Sequence, residues 1–436
     1  MREEVLAAVQ RTLSTELGAR SGERVRLQGW LHHRRELSRV TFLILRDRSG
    51  LAQVVVGDPG LRSRAAAFMP ETVLEIEGVA VASAQAPGGV EVHEPAVRVL
   101  AEPTDSPPVE LRRPELKEAL PTLLDHAAVS LRHPRSRAVF ELAAATLAGY
   151  RAALDRLGFV EIQTPKLVAA ATESGANVFA VDYFGRRAFL AQSPQLYKQV
   201  LVGVFERVYE VGPVFRAEPH DTARHLAEYV SLDAEIGFVD DHRTVMAVAR
   251  EAVAGMAEGV RERARAAVEL LGVTVPEVPA EIPWLDFPEA LRLCEADPGD
   301  PDLAPADERR LGEWARREHG SDFVFVVGYP MEKRPFYTHP DPERPHLSRG
   351  FDLLFRGLEL ITGGQRLHRH DDYLTALAAR GQDAEPYEGY LQAFRYGMPP
   401  HGGFAIGLER WTARLTGARN IRQTTLFPRD LHRLKP

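Results

Sequence analysis

Five short strand-like segments follow one another between residues 24 and 101, and they limit most strongly how the chain can fold. They are RVRLQGWLHH, VTFLILRDRSG, LAQVVVGDPG, ETVLEIEGVAVAS and GGVEVHEPAVRVL, with turn residues at hairpin-like spacing between them. About five strands in roughly 80 residues suit a small closed barrel, and the oligonucleotide-binding (OB) fold is the common five-stranded case. Another small β-barrel is the alternative.

The pattern changes after the fifth segment. The stretch AEPTDSPPVELRRPELKEALP is rich in proline and charge, which is typical of a hinge. From about residue 136, RAVFELAAATLAGYRAALDRLGF has apolar residues at helical spacing and ends at Gly158. Strand-like and helical segments then mix, which favours an α+β domain around an antiparallel sheet. We predict a barrel over residues 1–104, a hinge over 105–135 and the α+β domain over 136–436.

Composition narrows the class of protein. A chain of 436 residues, 44% hydrophobic and 26% charged, suits two or three globular domains. The single cysteine, Cys294, excludes an internal disulfide framework and indicates a reducing, cytoplasmic setting. No segment reads as a signal peptide or a membrane span. The net charge of −7 argues weakly against nucleic-acid binding, which depends on local patches.

The stretch FRAEPHDTARHLAEYVSLDAE, residues 215–235, has the pattern of a hairpin with one polar face. Tyr229, Ser231, Asp233 and Glu235 alternate with Val230, Leu232, Ala234 and Ile236, and Arg216 and Glu218 share a face on the preceding strand. An arginine near a tyrosine suits a phosphate and a stacked ring. A solvated face of an edge hairpin is the alternative.

Three further segments carry candidate binding groups. In QSPQLYKQ, Gln195 and Lys198 share a helical face, so Lys198 is either the cation for an anionic substrate or a lysine that reaches the surface. Asp352 and Glu359 flank a strand-like run and suit a shared Mg²⁺. GGFAIGLER is a glycine-rich strand that leads into a helix near Arg410, and its glycines permit close approach of a flat ligand to the backbone. It matches neither phosphate-loop signature.

Taken together, these segments resemble the class II aminoacyl-tRNA synthetases, and within them the archaeal-type aspartyl-tRNA synthetases of subclass IIb. GFVEIQTPKLV resembles the first class motif, FRAEPHDTARHLAEY the second and GGFAIGLER the third, while QSPQLYKQ resembles the aspartate-specific helix. The four signatures occur in family order, and the large insertion of typical bacterial aspartyl enzymes is absent. The resemblance implies an ATP-dependent ligase that activates L-aspartate and transfers it to tRNA.

The resemblance also implies roles for individual residues. Arg216 matches the arginine that bridges the ATP α-phosphate and the amino-acid carboxylate, and Arg410 matches the arginine on the γ-phosphate. Asp352 and Glu359 match the magnesium-binding carboxylates. The positions that match ATP contacts are Arg216, Glu218, His225, Tyr229, Glu359 and Arg410. The positions that match aspartate contacts are Glu173, Ser174, Gln195, Lys198, Asp233 and Arg366.

The amino-acid specificity follows from charge. A lysyl enzyme needs carboxylates in its side-chain pocket, whereas Lys198 and Arg366 are cations. An asparaginyl enzyme is expected to lack Lys198, since a second cation beside a neutral amide has no partner. Two other classes compete with a ligase: a nucleotide- or tRNA-binding paralogue without catalysis, and an asparagine-synthesising relative that lacks the barrel.

The barrel is expected to read the tRNA anticodon. Phe42 and Gln53 match the family's residues that stack on the central uridine of the anticodon and form hydrogen bonds with it. Arg34 or Arg35 is expected to contact the tRNA backbone or a base. A core position in the barrel is the alternative for Phe42.

Two departures from the discriminating archaeal pattern bear on tRNA choice. His32 stands where that branch has Trp, and Pro87 stands where it has Lys. They predict a non-discriminating enzyme that charges tRNA(Asp) and tRNA(Asn) and passes Asp-tRNA(Asn) to an amidotransferase; a discriminating enzyme is the alternative. Pro165 in the first motif implies a homodimer.

Overall fold

The computed structural model describes residues 10–169, 178–219 and 221–435, apart from the side chain of Pro87. It divides into two compact units, Met1–His133 and Pro134–Pro436. The segment that we read as a hinge groups with the first unit. Within the described residues, no helix has both the length and the apolar character needed to cross a membrane.

The first unit contains a closed five-stranded barrel. Its strands are β1 (Arg24–Glu36), β2 (Thr41–Arg46), β3 (Leu51–Val56), β4 (Val73–Ala82) and β5 (Val90–Ala101), and its helices are α1 (Pro59–Ala65), α2 (Leu120–Asp125) and α3 (Ala127–Ser130), with 3₁₀ turns at Ser14–Arg20 and Pro87–Gly89. The barrel closes in the order β1-β2-β3-β5-β4, with β3 and β5 parallel. Alternate residues such as Leu43, Leu45 and Val54 fill its core.

The second unit is built on an eight-stranded sheet. Its strands are β6 (Val160–Glu161), β7 (Leu167–Val168), β8 (Ala180–Tyr183), β9 (Arg186–Leu190), β10 (Arg207–Phe215), β11 (Glu228–Gly237), β12 (Trp284–Asp286), β13 (Phe323–Val327), β14 (Gly350–Phe355), β15 (Glu359–Gln365) and β16 (His401–Gly407). The sheet runs β12-β13-β14-β15-β16-β11-β10-β6, and β7, β9 and β8 form a separate small sheet. The centre is antiparallel, as predicted, with a parallel pair at each edge.

The helices of the second unit cover the sheet. They are α4 (Pro134–Arg156), α5 (Gln195–Phe205), α6 (His242–Arg263), α7 (Arg265–Leu271), α8 (Phe287–Leu293), α9 (Pro305–His319), α10 (His370–Ala379), α11 (Glu388–Arg395) and α12 (Leu408–Thr416), with 3₁₀ turns at Met331–Lys333, Glu385–Tyr387 and Ile421–Thr424. Leu232, Ala234 and Ile236 of β11 pack in the main core with residues of α4 and α6. The predicted apolar face of the hairpin is therefore confirmed.

On the opposite face of the sheet, a row of paired residues crosses five strands, and four of the five are polar. In register, Asp352 of β14 pairs with Thr362, Thr362 with Ala405, Ala405 with Asp233, and Asp233 with Glu210. Directly paired residues of neighbouring strands point to the same face. The row therefore brings polar groups distant in sequence to one surface of the sheet, and the candidate site lies there.

Candidate active site

A cleft of about 410 Å³ lies over the polar face of the sheet. Ala405, Gly407 and Thr362 form part of its floor, on the central strands β15 and β16. Its walls include most of the residues predicted for ATP and the amino acid. These are Gln195, Arg216, Glu218, His225, Tyr229, Glu359, Arg366 and Arg410. Segments that lie far apart in sequence thus meet in one site.

One end of the cleft combines an aromatic ring with a cation. Strand β10 ends at Phe215, and the backbone N–H of Arg216 donates to the carbonyl of Ala227, which keeps the two sides of the hairpin together beyond the strands. The Arg216 guanidinium lies 5.6 Å from the centre of the Tyr229 ring. This arrangement places a flat ring and a positive charge where a base and its α-phosphate could lie side by side.

Glu218 connects two basic side chains at the same end. Its carboxylate lies 3.9 Å from Arg216 Nη1 and 3.5 Å from His225 Nε2. The Nδ1 atom of His225 lies 2.6 Å from Thr222 Oγ1. Both contacts of Glu218 are longer than a strong hydrogen bond.

At the other end of the cleft, Arg366 lines the wall and belongs to a buried group of four charges. Lys198 is 1% exposed, and its Nζ donates to Asp233 Oδ1 at 2.9 Å and to the Phe404 carbonyl at 3.1 Å, with Glu235 Oε2 at 3.3 Å. Arg366 Nε donates to Glu235 Oε1 at 3.1 Å. Because Lys198 is fully buried, the interpretation of a lysine that reaches the surface is wrong. Two cations and two carboxylates balance each other here.

Gly403 makes room for this group. A Cβ atom at position 403 would collide with the Glu235 carboxylate and the Ala234 carbonyl, so only glycine lets Glu235 lie flat on β16. We predicted that the glycines of this strand allow close approach of a ligand. At Gly403 the group that approaches is instead a side chain of the protein, which holds Arg366 in place.

The two predicted magnesium carboxylates differ in their surroundings. Glu359 lines the cleft and accepts a hydrogen bond from Arg410 Nη1 at 3.0 Å. Asp352 is 4% exposed, and its carboxylate lies 3.3 Å from Arg334 Nη2. Burial raises the pKa of Asp352 against the opposing effect of Arg334, and the negative charge of Glu359 raises it further. Repulsion between these two carboxylates is what a nearby cation would relieve.

Thr362 is a site residue that the sequence reasoning missed. Its hydroxyl donates to Glu359 Oε1 at 3.2 Å. The pairing of β14 with β15 shifts by one residue between Leu353 and Leu354, so that Glu359 faces the same side as Thr362. Simple alternation along the strand would put the two on opposite faces. An unpredicted β-bulge therefore assembles this pair.

Glu409 is a second missed residue. It is buried beside Arg410, and both of its carboxylate oxygens accept the Val230 N–H, at 3.0 and 3.2 Å. Burial raises the pKa of Glu409 to about 7. The contact ties the start of α12 to the strand that carries Tyr229. The only signal in the sequence that pointed to Glu409 was its position directly before Arg410 in GLER.

Three predicted positions fall outside what the structure describes. Glu173 and Ser174 lie between residues 169 and 178, and Pro87 has no described side chain. The backbone of Pro87–Gly89 forms a 3₁₀ turn with positive φ at both glycines. The roles that the family resemblance implies for these residues remain predictions.

In the barrel, the predicted anticodon residues lie on its outer surface. Phe42 alternates with the core residues Thr41 and Leu43, so it points away from the barrel interior, and the Arg35 guanidinium lies 4.7 Å from its ring centre. The core alternative for Phe42 is therefore not supported. Gln53 alternates with the core residues Ala52 and Val54, but it is itself buried (6% exposed), and its Nε2 donates to Glu91 Oε2 at 2.8 Å.

Arg34 and His32 have structural partners within the barrel. Arg34 Nη1 donates to the carbonyls of Ala65 and Ala66 at the end of α1, at 2.7 and 2.6 Å. Of the two arginines that we considered for tRNA contact, Arg35 is thus the more available. Burial and the charge of Arg46 lower the pKa of His32 to about 4, so the imidazole is neutral at pH 7.

Comparisons with known proteins identify the family. Residues 120–431 match the model for class II tRNA synthetases (D, K and N), and residues 25–100 match the model for the OB-fold nucleic acid binding domain. The chain therefore belongs to the D, K and N group of class II tRNA synthetases, as the motifs indicated. The predicted fold class, an OB barrel followed by a class II synthetase domain, is confirmed.

Individual relatives within that group are similar to the chain over nearly its whole length. The chain is 49% identical to the aspartate–tRNA(Asp/Asn) ligase of Thermus thermophilus, covering 98% of this chain and 100% of the relative. It is 46% identical to the enzyme of the same name from Deinococcus radiodurans, covering 98% and 99%. Among solved structures, the asparaginyl-tRNA synthetase from Pyrococcus horikoshii complexed with asparaginyl-adenylate superposes with a TM-score of 0.91, at 31% identity and 98% and 100% coverage.

Proposed function

We propose that this protein activates L-aspartate with ATP and transfers the aspartyl group to the 3′ end of tRNA. The observation that carries the proposal is the cleft itself, which joins Arg216 and Tyr229 at one end to Arg366 at the other. Arg366 shares the Glu235 carboxylate with the buried Lys198. The first end suits the adenosine and α-phosphate of ATP, and the second suits an amino acid with a carboxylate side chain.

The chemistry requires charge neutralisation more than a protein nucleophile. An α-carboxylate oxygen of aspartate attacks the α-phosphorus of ATP, and the bond to pyrophosphate breaks, which leaves aspartyl-adenylate. Arg216 neutralises the α-phosphate and orients the carboxylate, while Arg410 binds the departing polyphosphate. A terminal ribose hydroxyl of tRNA then attacks the aspartyl carbonyl and releases AMP.

Magnesium fits the donor groups of the cleft. Glu359 and Asp352 would hold it, because two carboxylates that repel each other suit a divalent cation. Among the described residues, no group of three or more His, Cys, Asp or Glu side chains forms a metal cage, so phosphate oxygens would supply further ligands. When bound, Mg²⁺ neutralises charge on the ATP phosphates. Chelation of divalent cations is expected to abolish aspartate activation, and added Mg²⁺ to restore it.

The choice of aspartate over asparagine rests on Lys198. The carboxylate of an aspartate side chain can accept charge-assisted hydrogen bonds from the two cations, which the neutral amide of asparagine cannot match. ATP–pyrophosphate exchange tests this directly. We expect exchange with L-aspartate and none above background with L-asparagine or L-lysine. Exchange that depends on asparagine instead would overturn the assignment.

The tRNA specificity is proposed to be relaxed. His32 and Pro87 stand at the two positions where the discriminating branch has Trp and Lys, and the curated relatives from Thermus and Deinococcus are named for both tRNAs. The enzyme would then charge tRNA(Asp) and tRNA(Asn) with aspartate in the cytoplasm, and an amidotransferase would convert Asp-tRNA(Asn). Purified transcripts of both tRNAs test the claim, and a failure to aspartylate tRNA(Asn) contradicts it.

A homodimer is also proposed, through the edge of the synthetase domain near Pro165. Glu210 of β10 is buried, and its carboxylate accepts hydrogen bonds from Thr164 Oγ1 at 2.6 Å and Lys166 Nζ at 2.7 Å. These bonds hold the segment around the exposed Pro165 against β10. Several large apolar side chains near this edge are exposed. They are Val160, Leu167, Phe179, Tyr183 and Phe184. Light scattering at micromolar concentration is expected to give twice the chain mass, and a monomer would contradict the proposal.

A further inference from the structure

Helix α9 carries a buried carboxylate that contacts Glu359 and Arg224, two residues that line the cleft. Glu308 lies in the first turn of α9 and is 9% exposed. Its Oε2 accepts the backbone N–H of Glu359 at 2.9 Å, at the point where β15 begins. Its Oε1 lies 4.0 Å from Arg224 Nη1, and Arg224 lines the cleft. None of the motifs in the sequence includes Glu308.

Close packing of backbone brings α9 to this position. A Cβ atom at Gly312, one turn after Glu308, would lie 2.5 Å from the backbone nitrogen of Gly357. Gly357 itself adopts a φ of +71° in the turn between β14 and β15. Because neither position tolerates a side chain, the turn lies directly against the helix. The Glu308 side chain can therefore reach the first residue of β15.

A carboxylate in this position is costly unless it serves a partner. Burying a negative charge near the second carboxylate of Glu359 is unfavourable, and the compensation comes from one backbone N–H and one arginine. Glu359 is one of the carboxylates proposed for the magnesium of ATP, and Arg224 lines the same cleft. A role in folding alone would not require that the partners of Glu308 be cleft residues.

We propose that Glu308 is a positioning residue for the triphosphate of ATP, an inference that rests on the proposed function. Through the N–H of Glu359 it fixes the start of β15, so that the Glu359 carboxylate faces the cleft. Through its charge it holds Arg224 at the same end, ready for a phosphate. Glu308 itself does not contact the substrate.

The test compares ligands that do and do not have the distal phosphates. Three variants are made: E308A, which loses both contacts; E308Q, which keeps an oxygen for the Glu359 N–H but loses the charge; and E313Q, a control at an exposed glutamate of the same helix. Calorimetry measures binding of a non-hydrolysable ATP analogue and of AMP to each full-length protein. A loss of one charged hydrogen bond and one ion contact predicts about 10-fold weaker binding of the analogue to E308A.

Expected results separate positioning from folding. E308Q should weaken binding of the analogue by about 3-fold, while AMP binding should stay within about 2-fold of wild type in every variant. The KM for ATP in pyrophosphate exchange should rise with little change in the KM for aspartate. Equal weakening of AMP and of the analogue, or normal binding of both in E308A and E308Q, would overturn the proposal.

The proposed function can fail separately. If the wild-type protein shows no aspartate-dependent exchange, the reaction assigned above is wrong, yet the comparison of AMP with the ATP analogue remains interpretable. If exchange is normal and the two ligands respond equally, only the role of Glu308 is wrong.

Discussion

The amino-acid end of the cleft and the outer face of the barrel both present polar side chains on β-strands, but they are held in different ways. Lys198 is buried among Asp233, Glu235 and the Phe404 carbonyl. On the barrel, exposed Arg35 lies over the Phe42 ring with no buried partner of opposite charge among the described residues. A site that performs chemistry is organised before the substrate arrives, whereas a surface that reads RNA can adjust to it.

The largest effect is expected for K198M. Removing Lys198 leaves Asp233 and Glu235 with less compensation in a buried site, which costs about 3–5 kcal/mol of the free energy of unfolding. Aspartate-dependent exchange should fall by more than about 1000-fold, because the same cation is needed for the substrate carboxylate. Urea unfolding and pyrophosphate exchange measure the two effects, with K117M at an exposed lysine as control. Normal stability in K198M would show that the charge group is not preorganised.

A second prediction for the synthetase domain concerns Glu409 and pH. Its pKa is raised from 4.5 to about 7, so the folded state keeps this proton at pH values where the unfolded chain has released it. The stabilisation is therefore complete below about pH 4.5 and is lost as the pH rises through about 7, a difference of at most about 3 kcal/mol. E409Q, which cannot ionise, should show a flatter stability profile between pH 5 and 8.

The control for this profile is E262Q, at an exposed glutamate of α6. It should follow the wild-type curve throughout that range. If E409Q also follows the wild-type curve, the Glu409 carboxylate does not retain its proton in the folded state.

On the barrel, F42A should separate tRNA recognition from activation. Stacking of one base on an aromatic ring is worth about 1–3 kcal/mol, so kcat/KM for tRNA charging should fall by about 10- to 100-fold. Exchange should be unchanged, because activation does not use the barrel. L37A, at an exposed apolar residue of the same domain, serves as control. A comparable loss of exchange in F42A would show that this barrel residue also affects aspartate activation, and would contradict a separation between the barrel and the cleft.

The smallest effect is expected for the double variant H32W/P87K. These changes install the residues of the discriminating branch, so charging of tRNA(Asn) should fall by about 10-fold relative to tRNA(Asp), equivalent to about 1.4 kcal/mol. Competition between the two transcripts in one reaction measures the ratio. An unchanged ratio would show that relaxed tRNA specificity depends on residues other than His32 and Pro87.

Local patterns in the sequence predicted the elements well. Alternation in residues 229–236 gave the two faces of β11, and an isolated lysine in an apolar helix made Lys198 a candidate cation for an anionic substrate, with a surface lysine as the alternative. The family motifs then supplied roles that periodicity alone could not. Such signals succeed because strand alternation and helical spacing depend only on nearby residues.

Contacts that depend on register or on long-range packing were not predictable. Thr362 joins Glu359 only because of a β-bulge, and Glu308 reaches β15 only because two glycines let a helix and a turn touch. Arg34 was an equal candidate with Arg35 for tRNA contact until the end of α1 was placed beside it. In each case the sequence shows the charged or polar residue but not its partner.

The contact between Gly403 and Glu235 ties two positions together in evolution. Any side chain at 403 would displace the carboxylate that holds Lys198 and Arg366, so neither position is free to change alone. A descendant that acquires a different amino-acid substrate would have to alter both at once, or keep both and change the pocket elsewhere. The most accessible routes to new specificity in this scaffold therefore run through residues other than these two.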